Sequence, residues 1–341
     1  MKRHQITIKD IAEKLNISPS TVSRALKDHP DINPKTKESV KELAKKYNYV
    51  PNRIAQGLLL NKSNIIGVII PEIIHHFFSS VISGIENVAY QNGFNVMVCQ
   101  SQETYEMEVK NVETLLSSHI DGMLISITKE TKDIKHLQNL EEMGIPMAFF
   151  DRIVEEIEAD RIIVDDFGGG YKATQHLISQ GCKKIAHLHG PLNLLIGRNR
   201  YNGYIRAMEE NNIPLKDEYI VFCDQHEEAM KETQKLLQLP SPPDAIFCVN
   251  DATAIGAMKA IKKQGLKIPE DIAIVGFTNS FICTMSDPEL STVDQKGYEM
   301  GQEAAKLIIS RILQKDDIPD KPVTKILDTE VIIRESSRKL N

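Results

Sequence analysis

Cysteine is scarce in this 341-residue chain, and its placement excludes more than its number does. Cys99, Cys182, Cys223, Cys248 and Cys283 are scattered and odd in count, with no C-x-x-C pair. That pattern spells out neither a disulfide framework nor a zinc ligand set, and it fits buried thiols in a reducing compartment. No metal and no cofactor is expected. Long apolar runs are also missing: no stretch of about 18 such residues occurs, so no membrane partner is expected. The amino end, MKRHQITIKD, is basic but lacks the apolar segment of a signal peptide, which points to the cytoplasm. Catalytic signatures are absent too. Gly168-Gly169-Gly170 opens a predicted helix, where backbone amides cradle phosphate, yet it is neither a P-loop nor a G-x-G-x-x-G turn. His187 and His189 alternate on one predicted strand with no acids at metal-ligand spacing, and read as core or cleft lining. No nucleophile–base pairing is visible, and no enzyme activity is expected.

What is present is a soluble, globular composition, 41% hydrophobic and 26% charged, long enough for a small domain and one or two larger ones. The net charge of −6 argues against a nucleic-acid partner until its distribution is read. Residues 1–63 hold 13 Lys and Arg against 6 Asp and Glu, whereas the rest holds 28 against 41. A basic head on an acidic body is the electrostatic footprint of a modular DNA binder.

The head carries the clearest local grammar. Ile8, Ile11, Ala12 and Leu15 recur at i, i+3, i+4, i+7, one face of a helix. Val22, Ala25 and Leu26 repeat the spacing after a tight turn, Asn16-Ile17-Ser18. Ser18 is a suitable N-cap and Pro19 stands at the first helical position. Ile17 is expected to plug the angle between the helices. This is a helix-turn-helix pattern, whose second helix enters the major groove with its N-terminal residues towards the bases. Pro19, Ser20, Thr21, Ser23 and Arg24 face outward; hydroxyls reach phosphates, and Arg24 suits a bidentate pair with guanine. A third helix, capped by Asn33 with Pro34 next, has Val40, Leu43, Ala44 and Tyr47 as its buried stripe. Its Lys35, Lys37, Lys41, Lys45 and Lys46 face water or phosphate.

These residues resemble the DNA-binding head of the lactose-repressor (LacI/GalR) family. The family's D-[VI]-A, [VI]-S and T-V-S-R appear as Asp10-Ile11-Ala12, Ile17-Ser18 and Thr21-Val22-Ser23-Arg24. Its Y-x-P-N-x-x-A-x-x-L appears as Tyr49, Pro51, Asn52, Ala55 and Leu58. The resemblance implies a short hinge helix in the minor groove, with Leu58 wedged between base pairs. Gly57 inside so short a segment costs about 1 kcal/mol relative to Ala, so the hinge is expected to be helical only on DNA. The candidate DNA contacts are Thr7, Ser18, Pro19, Ser20, Thr21, Ser23, Arg24, Asn33, Asn52, Arg53, Ala55 and Leu58.

Beyond Ser63, short apolar strands alternate with amphipathic helices in two successive sets, which predicts two doubly wound α/β lobes with parallel sheets. The expected division is 1–50 for the head, 51–62 for the hinge and linker, and 63–341 for the body. Within the body, about 63–165 and 296–321 form the N-lobe, and about 166–295 and 322–341 the C-lobe. A helix over Gly297–Leu313 and a strand over Val323–Arg334 are expected to cross back through both lobes. The body resembles sugar-binding periplasmic proteins, as the family does throughout, with the ligand cleft outside the carboxyl ends of the strands.

The resemblance supplies candidate effector contacts. His75 and His76 precede Phe77 and Phe78 where the family commonly has N-P-F-F, and either phenylalanine offers a flat apolar wall. Asp151 ends the fourth strand, where an acid accepts hydroxyl hydrogen bonds. Arg200, in Arg-Tyr-Asn-Gly-Tyr, matches R-x-x-G-[FWY] and is read as opening a helix, which the helix dipole disfavours unless function requires it. Asn250 of the N-D pair is expected to touch ligand while Asp251 caps a helix. Two positions depart from the family: Thr278 replaces the acid of V-G-[FY]-D, and His226 replaces a stacking aromatic. Pro19, with no side-chain hydrogen bond, leaves base reading to Ser20 and Arg24. Ala254, Ala257, Met258, Phe281, Ile282 and Met285 are the candidate dimer face. No heptad run follows Arg334, so a homodimer is expected rather than a zippered tetramer. The whole reads as a sequence-specific transcription regulator, a repressor, that binds double-stranded operator DNA under control of a carbohydrate-like effector. A non-regulatory solute-binding protein is the alternative.

Overall fold

The computed structural model describes residues 6–49, 62–314 and 321–338. The chain divides into two compact units, Met1–Ser63 and Asn64–Asn341.

The head is three helices, α1 (Ile8–Leu15), α2 (Pro19–Leu26) and α3 (Pro34–Lys46). Each begins on a side chain that accepts from an amide the helix leaves unpaired. Thr7 and Asp10 form a reciprocal capping box. Ser18 Oγ accepts from the Thr21 amide at 3.1 Å, and Asn33 Oδ1 from the Lys35 amide at 2.9 Å. α1 ends at Asn16, whose φ of 50° is a left-handed conformation that Asn tolerates. The core comprises Ile11, Ala12, Val22, Ala25, Ile32, Val40 and Ala44, with Ile17 and Leu43 packed on it. Tyr47 is not in the buried stripe. α3 stops at Lys46, so Tyr47 turns away as its C-cap, 40% exposed. The Lys14 ammonium lies 5.2 Å above its ring. Asn52, Arg53, Ala55 and Leu58 lie outside the described residues.

The first lobe of the body is built on β1 (Ile65–Ile70), β2 (Asn95–Gln100), β3 (Gly122–Ile125), β4 (Met147–Phe150), β5 (Asp160–Val164) and β11 (Thr324–Leu327). Their order is β11-β5-β4-β3-β1-β2, every pair parallel. β1, with the sequence IIGVII, lies between two neighbours and is buried from Ile66 to Ile70, as an apolar run covered on both faces must be. Helices α4 (His76–Gln91), α5 (Tyr105–Ser117), α6 (Lys135–Glu142) and α12 (Gly297–Ile312) complete it. α4 and α12 approach so closely that a Cβ at Gly84 or Gly301 would overlap the partner's backbone.

The second lobe comprises β6 (Ile185–His189), β7 (Ile220–Phe222), β8 (Ala245–Cys248), β9 (Ala273–Thr278), β10 (Ser291–Asp294) and β12 (Glu330–Ile332), ordered β12-β10-β9-β8-β6-β7. Only β12 runs antiparallel, against β10. Its helices are α7 (Asp166–Ser179), α8 (Leu195–Glu210), α9 (His226–Leu237), α10 (Asp251–Lys263) and α11 (Ile282–Met285). The chain crosses between lobes after β5, after β10 and after β11.

Three expectations are corrected. The single strand over Val323–Arg334 is two: β11 joins the first sheet and β12 the second. Residues 322–327 therefore belong to the N-lobe, because β11 pairs with β5. Ala254, Ala257 and Met258 are not a dimer face; they are buried in the C-lobe's own core, where α10 packs on α9 and the sheet. Phe281 and Met285 are exposed, at 59% and 74%, and Ile282 is half-buried. Three short elements are not evident from the sequence: α6, α11 and β10. β10 is Ser-Thr-Val-Asp, and its hydroxyls are buried by pairing rather than by apolarity: the Ser291 amide donates to Ser336 Oγ at 2.8 Å and Thr292 Oγ1 donates to Asp251 at 2.5 Å.

Candidate functional site

On the head, Pro19, Ser20 and Arg24 of α2 are exposed, and Thr21 and Ser23 half-buried. The Ser18 hydroxyl lies 2.7 Å from that of Ser20 and 2.8 Å from that of Thr21, so the N-terminus of α2 carries a knot of hydroxyls. Thr7 and Asn33 are exposed caps. Two of the five α3 lysines are engaged within the head. Lys41 donates to the Asp28 carboxylate at 2.6 Å and Lys37 to the Asp28 carbonyl at 3.0 Å, fixing the α2–α3 turn. The Lys41 hydrogen bond holds the Asp28 carboxyl below its usual range. Lys35, Lys45 and Lys46 remain exposed.

In the body, a polar chain runs from one lobe to the other. Asp151 ends β4 with a φ of 60° and is buried. The Gln295 side-chain amide, on a crossing segment, donates to Asp151 Oδ1 at 2.9 Å. Thr278 Oγ1, at the end of β9, donates to Gln295 Oε1 at 3.2 Å. Beside Asp151, Arg152 donates from Nη1 to both oxygens of Glu103 at 2.8 and 2.9 Å, and its guanidinium lies 5.8 Å from the Phe78 ring centre. In the C-lobe, Arg200 donates to Asp166 at 2.8 Å and to the Val249 carbonyl at 2.8 Å, and stacks 3.7 Å from the Phe277 ring centre. Its Nη2 is buried without a partner. Burial pushes the Asp151 carboxyl up to about 7 despite the nearby Arg152 and Arg200 charges. Burial raises Asp166 as well, against the pull of Arg200.

The structure thus brings Asp151, Arg200 and Thr278 to the facing strand ends, with Phe77 and Phe78 in the N-lobe core next to them. A cavity of about 310 Å³ takes in Phe77 and Thr278. Arg200 does not open a helix. α8 begins at Leu195, so Arg200 lies in its second turn, and its role rests on contacts rather than on the dipole. The helix cap is Asn250 and not Asp251. Asn250 Oδ1 accepts from the Thr253 amide at 2.8 Å as the cap of α10. Asp251 is buried beneath it, accepting from Ser280 and Thr292. His75 is exposed and meets Glu72 at 2.9 Å, and His226 is half-buried at the start of α9. Among the described residues no hydrogen bond joins either to the Asp151–Gln295–Thr278 chain.

Several neighbouring residues were not legible as site residues. Gln295, Glu103, Arg152 and Asp166 each acquire a role only through a partner far along the chain. Gly169 and Gly170 serve packing: a Cβ there would meet the Phe277 ring or the Arg200 backbone. His187 is core. It stacks on Phe247 at 4.7 Å, its Nδ1 bonds the Phe247 carbonyl at 3.0 Å, and burial drives its pKa down to about 3. All five cysteines are free, and four are buried. Among the described residues no helix is long and apolar enough to cross a membrane.

Residues 7–52 match the family model described as bacterial regulatory proteins, lacI family. Residues 63–330 match that described as periplasmic binding proteins and sugar binding domain of the LacI family. The chain belongs to the LacI family. It is 34% identical over 337 residues to the HTH-type transcriptional repressor CytR of Escherichia coli, covering 98% of this chain and 97% of that protein. It is 32% identical over 336 residues to the HTH-type transcriptional repressor PurR of Actinobacillus pleuropneumoniae, covering 98% and 99%. Its fold is similar to that of the lac repressor dimer bound to operator and the anti-inducer ONPF, with a TM-score of 0.86 at 26% identity over 97% of this chain and 99% of that one. This LacI-family chain is a DNA-binding transcription regulator whose head reads DNA and whose two-lobed body is an effector-binding module.

Proposed function

We propose that the protein is a cytoplasmic, homodimeric repressor whose hold on a near-palindromic operator is set by a small carbohydrate-like effector between the lobes. Each α2 reads one half-site, with Arg24 and Ser20 on the bases and Thr7, Ser18, Thr21, Ser23 and Asn33 on the phosphates. Asn52, Arg53, Ala55 and Leu58 extend the contact into the minor groove. Phe281, Ile282 and Met285 form part of the dimer face. The observation that carries the effector reading is the Asp151–Gln295–Thr278 chain. It joins an acid of one lobe to the last strand residue of the other through a crossing segment, so a ligand that competes for either end alters how the lobes meet. Arg200 Nη2 supplies the donor such a ligand needs. Asn250, His75 and His226 are secondary contacts in this scheme.

Effector and operator affinities are then coupled reciprocally, typically by about 1–3 kcal/mol. Purified protein should retard a palindromic operator fragment with steep salt dependence. Removal of residues 1–60 should abolish retardation and spare ligand binding. Retardation that survives the truncation, or equal retention of cognate and scrambled duplexes, would overturn the assignment.

A further inference from the structure

The segment between β6 and α8 in the C-lobe directs its chemistry at the opposite lobe rather than at its own helix. Leu194 stands at the N-cap of α8, a position that favours an oxygen-bearing side chain, and makes no capping hydrogen bond. Asn193, a residue type suited to capping, turns away and donates from Nδ2 to the Lys129 carbonyl of the N-lobe at 2.7 Å. Leu194 is buried in the N-lobe cluster that holds Ile127, Ile153, Val154 and Ile157, and Leu195 and Ile196 pack against that cluster. Among the described residues it is the one C-lobe side chain buried there, and the C-lobe's own two clusters do not include it.

The N-lobe loop that meets this segment is braced from below. Glu108, fully buried, accepts from the Thr128 amide at 2.7 Å and from Thr131 Oγ1 at 2.9 Å, and His136 Nε2 lies 2.9 Å from it. Glu103, held by Arg152 beside Asp151, accepts from the Lys129 amide at 3.0 Å. Lys129 is thereby fixed in place, and its ammonium meets Asp224 of the C-lobe at 2.8 Å in a half-buried pair. A further pair across the lobes, Arg198 with Glu155, is exposed and contributes little.

We propose that Leu194 and Lys129 form a lock between the lobes that holds them together before any effector arrives. Separation would return Leu194 to water and part Lys129 from Asp224, so burial and the ion pair both favour the joined arrangement. Leu194 and Lys129 are positioning residues. Neither belongs to the proposed DNA contacts or to the Asp151–Gln295–Thr278 chain, and both act on a ligand through the lobe arrangement it meets. An effector that needs the lobes joined finds them so, whereas one that needs them apart must bind that arrangement more tightly by at least the strength of the lock. The lock stands without the regulatory reading above; only its consequence for DNA rests on that reading.

Spin labels on non-natural residues at Met143 of the N-lobe and Lys231 of the C-lobe, both exposed, report the lobe separation by pulsed electron resonance. The labelled full-length chain is diluted into unlabelled protein, so that distances within one protomer are read, without DNA or effector. Wild type should give one narrow distance population. Leu194→Ser supplies the cap that α8 lacks but removes the buried leucine, and should shift the distribution to longer distances. Lys129→Met keeps the apolar stem and should give a smaller shift in the same direction, as a half-buried ion pair contributes less than a buried leucine. Leu194→Met should keep the wild-type distribution. A purely structural role predicts lower melting temperatures with the distances unmoved. That result in both Leu194→Ser and Lys129→Met overturns the lock, as does a broad, separated distribution in wild type. Should Leu194→Ser fail to fold, Lys129→Met alone decides. Operator retention is measured on the same proteins: lobes that separate while retention stays unchanged would sink the regulatory reading and leave the lock standing.

Discussion

The head and the cleft both present polar side chains to a ligand, but they hold them by opposite means. In the head, the outward residues Ser20 and Arg24 are exposed, and the core beneath them is made by other residues, Val22 and Ala25, on the opposite face of α2. The proposed recognition residues and the stabilising ones occupy two faces of one short helix. In the cleft the two are merged. Asp151, Arg200 and Asp166 are each at most 4% exposed, and Phe77 and Phe78 belong to the N-lobe core. Each residue proposed to bind there is also a structural one. Its partners are chosen by the fold, as Arg200 holds Asp166 from 34 residues away and Asp151 holds Gln295 from 144. Substitution at Ser20 or Arg24 therefore leaves the head core untouched, whereas substitution at Asp151 or Arg200 disturbs buried contacts.

The strongest challenge to that contrast is Arg200→Ala. Removing one partner of a buried pair leaves Asp166 uncompensated, which typically costs about 3–5 kcal/mol. The body's melting temperature should fall together with effector binding, whereas melting that stays at the wild-type value would mean the pair is not structural.

Asp151→Asn comes next and is read against pH. The Asp151 carboxyl is raised from 3.8 to about 7, so between those values the folded state holds more protons than the unfolded one. Stability contributed by the protonated acid is complete below pH 4 and lost as pH rises through about 7. His187, lowered from 6.5 to about 3, gives the opposite slope between those values, since the unfolded state then binds the extra proton. Subtracting wild-type from variant melting curves cancels the histidine. The difference should grow from pH 4 to 7 in favour of Asn and then level off, by an amount on the order of a few kcal/mol. A flat difference would show that Asp151 is not desolvated.

Arg24→Ala should lower specific operator affinity by about 1–3 kcal/mol and relax base preference at one position. Thermal unfolding of the head should not change. A loss of head stability of comparable size would erase the division of labour between its faces. The smallest effect marks where the contrast blurs. Ser18 is both a cap and a phosphate candidate, so Ser18→Ala should cost about 1 kcal/mol of head stability as well as some affinity. A loss of affinity alone would move Ser18 wholly to the recognition face.

The contrast also explains which features could be read from residues. Two head helices announce themselves at their first two positions, Ser18 with Pro19 and Asn33 with Pro34, while the Thr7–Asp10 capping box of α1 was found in the structure. The apolar runs of β1 and β9 and the alternation of strand with helix spelled out the two doubly wound lobes. Where the reading erred, the deciding contact was distant. Ala254, Ala257 and Met258 looked like an interface stripe until α9 and the sheet covered them. Asn250 and Asp251 are adjacent, and only the arrival of Ser280 and Thr292 decides which is the cap and which the buried acid. β10 carries too little apolar surface to be seen as a strand.

The sequence by itself determined the capped helices, the turn between α1 and α2, the strand-helix alternation and the charge split between head and body, because caps and periodicity act over a few residues. Only the tertiary structure decided the pairing of Asp151 with Gln295, of Arg200 with Asp166 and the seat of Asp251. Those contacts exist once three chain crossings bring two sheets' ends together, and burial then sets the charge each group is able to carry.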